Sequence, residues 1–176
     1  VLDPFLGIGS TLKAAALENR KGVGIELSSK YAELSKERLE NEVSDLFNSQ
    51  SEQLILEGDS RELLDTLEEN SVDFVITSPP YWNILHKEDH KVRQERKEHS
   101  LDTKYSESEK DLGNIDDYDD FLDELASILG KCGRVLKPKK YMAVVVSDFR
   151  DKSKYIMFHA DLARALEPFG LEMRGL

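Results

Sequence analysis

Cysteine is nearly absent: Cys132 stands alone among 176 residues. No internal disulfide can form, and no Cys-based metal cage can be built. Such a chain suits a reducing cytosol, so a cytoplasmic protein is expected. Long apolar runs are also missing. The longest strongly apolar stretch, Ala143–Val146, is far too short to span a bilayer. No secretory leader pattern is seen, and no membrane partner is expected. Net positive charge is lacking too, with 24 Lys and Arg against 35 Asp and Glu, a formal charge of −11. On its face that argues against a nucleic-acid partner, which normally meets a basic surface. The charge is uneven, however. Residues 131–154 carry eight basic side chains against only Asp148 and Asp151, and the chain before them is acidic.

What remains reads as an alternation of strands and helices. Val1–Leu2 ends a strand, so the opening VLDPF suggests a piece of a longer protein. Apolar runs predict strands at Gly22–Leu27, Leu54–Glu57, Val72–Thr77 and Tyr141–Ser147. Helical spacing predicts helices at Thr11–Asn19, Ser28 to about Phe47, Ser60 to about Leu67, 116–130 and Ser153–Leu166. Near-continuous apolar strands alternating with helices imply an α/β fold with a doubly wound, Rossmann-like parallel sheet. A single domain over residues 1–176 is expected, with a charged insert at about 84–115 read as a substrate-contacting loop. His86, His90 and His99 fall in that insert at no metal-binding spacing, so no metal is expected. His159 is expected to pack or cap, and Cys132 to fill core.

Sheets of this kind bind ligands at the carboxyl ends of their strands. Special residues follow each predicted strand: Asp3-Pro4-Phe5-Leu6-Gly7-Ile8-Gly9-Ser10-Thr11, then Glu26, then Asp59, then Ser78–Trp82, then Asp148. The first is a Gly-rich turn entering a helix, where backbone can approach a ligand closely. It is not a dinucleotide fingerprint, because Leu12 stands where the third glycine belongs and Asp3 would repel a pyrophosphate. A partly cationic ligand fits better. Glu26 can accept from both hydroxyls of a ribose, and Asp59 from the exocyclic amine of an adenine. Adenosine joined to a cationic amino acid describes S-adenosyl-L-methionine. Asp3, Phe5, Gly7, Gly9, Ser10, Thr11, Glu26 and Asp59 are its candidate contacts.

DPFLGIGST, GIEL, EGDS and TSPPYW together resemble the amino-methyltransferases of DNA, which make N4-methylcytosine or N6-methyladenine. The resemblance spans residues 1 to about 150, and it is most specific at the corner Ser78-Pro79-Pro80-Tyr81-Trp82. It implies the Rossmann-like methyltransferase sheet, truncated at both ends, with the family's reversed final hairpin at or beyond the end of this chain. It further implies S-adenosyl-L-methionine as cofactor and DNA with an extruded base as substrate. Restriction-modification is the implied setting.

The resemblance also gives the corner a chemical purpose. An exocyclic amine delocalises its lone pair into the ring and must pyramidalise to accept a methyl group. Ser78 Oγ and the Pro79 carbonyl are the implied acceptors for its two N–H groups. The Pro79-Pro80 pair stiffens them, and Tyr81 offers a face for the flipped base. Trp82 either borders the base or packs inward, with packing favoured. Arg150, Lys152 and Lys154, which follow the last predicted strand, are candidate phosphate contacts, with Arg150 and Lys152 foremost. Serine at position 78 favours cytosine N4 over adenine N6. The cofactor turn precedes the corner, whereas many relatives with a Ser-Pro-Pro corner have the reverse order, which leaves the subclass open. Methylation of RNA or of a protein glutamine, and cofactor binding without turnover, are the alternatives. The oligomeric state is unknown from the sequence.

Overall fold

Five short apolar runs pair side by side as parallel strands: β1 (Leu2–Asp3), β2 (Gly22–Glu26), β3 (Gln53–Glu57), β4 (Val72–Thr77) and β5 (Leu136–Val144). This computed structural model describes residues 1–43, 51–82 and 110–176. The sheet order is β3-β2-β1-β4-β5. The chain therefore steps outward from β1 in one direction and then restarts at β4 on the other side. The switch point lies between β1 and β4, where ligands of such sheets bind.

Helices α1 (Ser10–Leu17) and α2 (Ser29–Val43) pack on one another beside β2. The short α3 (Ser60–Leu63) runs into a 3-10 turn at Leu64–Thr66, and both pack on α4 (Tyr118–Val135), which also holds α5 (Phe158–Leu166). Right-handed crossovers put the two groups on opposite faces. The core lies mainly under α4, where Phe121, Leu125, Ile128, Leu129, Cys132 and Val135 are buried with Val75 and Phe158.

Several boundaries differ from the sequence reading, each for a local reason. The cap of α3 is Asp59, whose side chain accepts from the Arg61 N–H, and not Ser60. Helix α4 runs past Gly130 to Val135. Its glycines do not stop it; they admit neighbours, since a Cβ on Gly130 would lie 2.2 Å from the Phe169 ring. Its start is fixed by Asp117, which accepts from the N–H groups of Asp119 and Asp120. Strand β5 begins earlier than expected, at Leu136, and bulges between its pairings with Val72 and Phe74. The expected helix from Ser153 is instead a hairpin of β6 (Phe149–Asp151) and β7 (Lys154–Ile156), followed by α5. Lys152 turns that hairpin with φ of 55°. The insert expected at about 84–115 lies outside the described residues except for 110–115. So do the predicted end of α2 at 44–47 and His86, His90 and His99.

Candidate active site

Asp3 ends β1 at the switch point and is only 4% exposed. Its Oδ1 accepts from the Phe5 N–H (3.0 Å) and from Thr77 Oγ1 (2.6 Å), and its Oδ2 accepts from Thr11 Oγ1 (2.6 Å). The carboxylate thus ties three segments: the Gly-rich turn, the start of α1 and the end of β4. Burial pushes its pKa up, against the three hydrogen bonds. The sequence reading put Asp3 against the ligand. Its geometry shows it buried beneath the turn, with three of roughly four acceptor positions taken from within.

The turn itself is held from both sides. Leu6 N–H donates to the Ile25 carbonyl (2.9 Å), and Ser60 Oγ donates to the Pro4 carbonyl (2.5 Å). Arg38, from α2, donates to the Ile8 carbonyl (3.3 Å) and to Ser10 Oγ (2.9 Å). Gly7 and Gly9 both have positive φ, 57° and 80°, but for different purposes. A Cβ on Gly7 would meet open space, so the turn leaves room there. A Cβ on Gly9 would lie 2.2 Å from Ser35 Oγ and 3.3 Å from Ser35 Cα. Gly9→Ala should therefore destabilise the protein by about 2–3 kcal/mol, from left-handed strain and the clash, read as a lowered urea midpoint. Ser35→Ala should rescue only part of that loss, because its backbone also crowds the site.

Glu26 ends β2 and reaches under the turn. Oε2 accepts from the Gly7 N–H (2.7 Å) and Oε1 from the Ser28 N–H (2.8 Å). Burial raises its pKa against these two bonds, and the charges of Asp111 and Asp3 add to the rise. Each oxygen keeps a further lone pair for a hydroxyl donor. At the end of β3, burial would raise the pKa of Asp59, but Arg61 outweighs it and leaves the carboxyl below its usual range. Arg61 Nε lies 3.0 and 3.1 Å from the two Asp59 oxygens. The same guanidinium donates to the Lys110 carbonyl (2.6 Å) and faces Glu124 at 3.4 Å. The sequence reading missed Arg61, although an arginine two residues after a capping aspartate is a visible signal. It also missed Arg38, which sits mid-helix with nothing in the sequence to link it to the turn.

On the other side of the switch point, Thr77 is 2% exposed and Ser78 is exposed. Val145 N–H donates to the Thr77 carbonyl (2.8 Å), and Ser78 Oγ points its donor at the Val145 carbonyl (3.4 Å). The hydroxyl lone pairs are then the part left to accept a proton donor. Pro79 is buried; Pro80 and Tyr81 are half-buried. Trp82 is 7% exposed and belongs to the core, edge-on to Tyr118 at 5.2 Å and beside Phe149 at 5.9 Å. That placement is packing. It does not present a free stacking face. Arg150 and Lys152 stand on the exposed β6–β7 hairpin. Cys132 is buried, its thiol pushed up to about 12 by burial. Asp148 and His159 form a pair at 2.6 Å, so His159 pins one element to another. Among the described residues no group of His, Cys, Asp and Glu is arranged to hold a metal ion, and no helix is long and apolar enough to cross a membrane.

Comparison with known proteins gives the family and the fold. The N6_N4_Mtase family, described as DNA methylase, matches residues 1–37 and 72–168, well over half of the chain. The orphan methyltransferase M.BamHII of Bacillus amyloliquefaciens is 54% identical over 41 residues, covering 23% of this chain and 16% of its own. The type II methyltransferase M.HpaI of Haemophilus parainfluenzae is 45% identical over 42 residues, covering 24% and 13%. These matches span less than a fifth of either relative's length. Among solved structures, an arsenic (III) S-adenosylmethionine methyltransferase from Chlamydomonas reinhardtii superposes with a TM-score of 0.55 at 17% identity, over 97% of this chain and 50% of its own. A SAM-dependent methyltransferase from Aquifex aeolicus gives 0.53 at 15%, over 96% and 70%. Both likenesses concern the fold. The chain belongs to the N6/N4 DNA methylase family and carries the Rossmann-like fold of S-adenosyl-L-methionine-dependent methyltransferases.

Proposed function

We propose that residues 1–176 form one catalytic domain that methylates an exocyclic amine of an extruded base in DNA, cytosine N4 in preference to adenine N6. One observation carries the reading: the 2.6 Å hydrogen bond from Thr77 Oγ1 to Asp3. It joins the cofactor turn to the residue just before the Ser-Pro-Pro-Tyr corner, across the switch point. Two half-sites of different chemistry are thereby held in fixed register.

On the cofactor side, the open space at Gly7 and the spare lone pairs of Glu26 fit S-adenosyl-L-methionine. Glu26 would take its ribose hydroxyls and Asp59 its adenine amine. Phe5, Gly9, Ser10 and Thr11 complete the turn around it. When bound, that cofactor supplies an electrophilic methyl group. On the base side, Ser78 Oγ and the Pro79 carbonyl accept from the target amine and favour its pyramidal form. Pro80 limits the backbone freedom of the corner, and Tyr81 stacks on the base. The reason for preferring cytosine is the resemblance of serine at position 78, where Asp or Asn is the other choice, to the cytosine-N4 enzymes. No thiolate intermediate is called for, and buried Cys132, with its raised pKa, suits that scheme.

Labelled S-adenosylmethionine, offered with duplex DNA, RNA and total protein, tests the reading. Digestion of the DNA should release labelled N4-methylcytosine. Label in N6-methyladenine would keep the reaction and overturn the base. Label only in RNA or protein would overturn the substrate class, and cofactor binding without transfer would leave a binding module.

A further inference from the structure

The β6–β7 hairpin leaves the carboxyl end of β5, on the same edge as the proposed site. Its two faces differ sharply. Phe149 pairs with Ile156, and both turn inward; Ile156 is 5% exposed and Phe149 sits against Trp82, Tyr118 and Phe158. Arg150 pairs with Tyr155 on the outer face, with the guanidinium 5.6 Å from the centre of a ring that is 54% exposed. Lys152 lies in the turn and Lys154 just after it, across from Asp151 on the other face of the ladder; both lysines are exposed at the hairpin tip. Its base is fastened by one carboxylate: Asp148 Oδ1 accepts from the His159 N–H (3.3 Å) and pairs with His159 Nδ1, while Oδ2 accepts from Tyr155 O–H (3.3 Å).

A cationic surface thus stands on a rigid mount, and the mount's first side chain touches the residue that follows the Ser-Pro-Pro-Tyr corner. A second basic cluster provides a contrast. Lys137 and Lys140, near the start of β5 and so at the opposite edge, are both paired with Asp73, at 2.9 and 3.7 Å. Among the described residues, no such ion pair engages Arg150, Lys152 or Lys154. In a chain of net charge −11, three cations on one hairpin beside the reactive edge, with no ion pair among the described residues and only Asp148 and Asp151 as nearby acids on the same segment, stand out.

We infer that the β6–β7 hairpin is a docking surface for the sugar-phosphate backbone of duplex DNA beside the extruded nucleotide. Arg150 and the two lysines meet phosphates, and Tyr155 braces the arginine. The inference rests on the DNA reading above and gives the substrate a second point of attachment. Phosphate contacts set position and register without reading sequence, and here the aromatic contact of Phe149 with Trp82 carries that register to the corner. Duplex DNA is chosen because the chain belongs to the DNA methylase family and the charge is complementary.

The test is a salt series of binding to fluorescein-labelled duplex DNA of degenerate sequence, with cofactor affinity measured alongside. Each lost phosphate contact lowers the slope of log affinity against log salt by about 0.9. The Arg150→Ala, Lys152→Ala, Lys154→Ala variant should flatten that slope by about 2–3 and bind at least about tenfold more weakly at moderate salt. Its cofactor affinity should match wild type. Exposed positions of this kind leave the fold intact, which a thermal melt verifies. The Lys137→Ala, Lys140→Ala variant should leave the slope unchanged. A wild-type slope in the hairpin variant overturns the proposal, and so does an equal loss in the control variant, which would mean general charge. A slope loss seen only with RNA overturns the choice of DNA. If the wild type binds cofactor but shows no salt-dependent DNA binding, the DNA reading itself falls and takes the hairpin with it.

Discussion

Replacing Asp3 with alanine is expected to lower the unfolding free energy by about 3–5 kcal/mol, the largest single loss at this site. The reason is a count of orphaned donors. The Phe5 N–H, Thr11 Oγ1 and Thr77 Oγ1 all point at a carboxylate that is 4% exposed. Each buried donor left unsatisfied costs about 1–3 kcal/mol, and threonine hydroxyls recover some of that by turning. The loss would appear as a lower urea midpoint at constant slope. Asp3→Asn keeps one acceptor oxygen, and the hydroxyls can accept from its amide, so it should cost only about 1–2 kcal/mol. The two genotypes also differ with pH in a direction fixed by linkage. Burial raises the folded-state pKa of Asp3. A carboxyl with a raised folded pKa favours the fold below its unfolded pKa of about 3.9, and that contribution is lost as pH climbs through the folded value. Asparagine does not titrate. The stability advantage of wild type over Asp3→Asn should therefore shrink from about pH 4 towards neutrality. A widening advantage would mean that hydrogen bonding, not desolvation, dominates at Asp3.

The organising role of Asp3 was only half legible in the sequence. DPFLGIG announces a tight turn entering a helix, and the strand pattern places it at a sheet edge. What the pattern lacks is the third dimension that brings Thr77, 74 residues away, to the same carboxylate. Thr77 reads as one more β-branched residue at the end of VIT, because threonine has the same strand propensity whether or not its hydroxyl is used. Arg61 is similar: its forked hold on Asp59 makes that carboxylate part of an internal ion pair as well as a candidate acceptor. The sheet itself was far easier to read. Its strands are short apolar runs with polar residues where each one stops, whereas the order β3-β2-β1-β4-β5 was not read from the sequence, because the crossover rule fixes handedness and not order. The errors gathered where local signals conflict. Gly130 reads as a helix stop but is a packing site, and SKYIM reads as helix only if the β-preference of Tyr155 and Ile156 is ignored.

On the proposed function, Tyr81→Ala should reduce kcat/KM for methyl transfer by about 10²–10³ while leaving cofactor affinity within a few-fold of wild type. Two effects combine. Loss of a stacking face removes about 1–3 kcal/mol of base binding, and tenfold corresponds to about 1.4 kcal/mol. Loss of alignment adds to that, because a base free to tilt spends less time with its amine facing both Ser78 Oγ and the Pro79 carbonyl, and misplacement by about 1 Å can cost a further factor near 10². Tyr81→Phe keeps the face and should stay within a few-fold of wild type. The contrast with Trp82 separates stacking from folding. Trp82 is buried against Tyr118 and Phe149, so Trp82→Ala should lower the melting temperature, whereas Tyr81→Ala, at a half-buried position, should barely move it. Tyr81 differs from Ser78 in a second respect. A stacking defect can be relieved by a substrate whose target base is already unpaired, since the energy of extrusion is then small. An abasic or mismatched partner opposite the target should therefore restore much of the activity of Tyr81→Ala and little of the activity of Ser78→Ala, whose missing acceptor no change in pairing can replace. Equal rescue of both variants would place Ser78 in base extrusion and remove it from the chemistry at the amine.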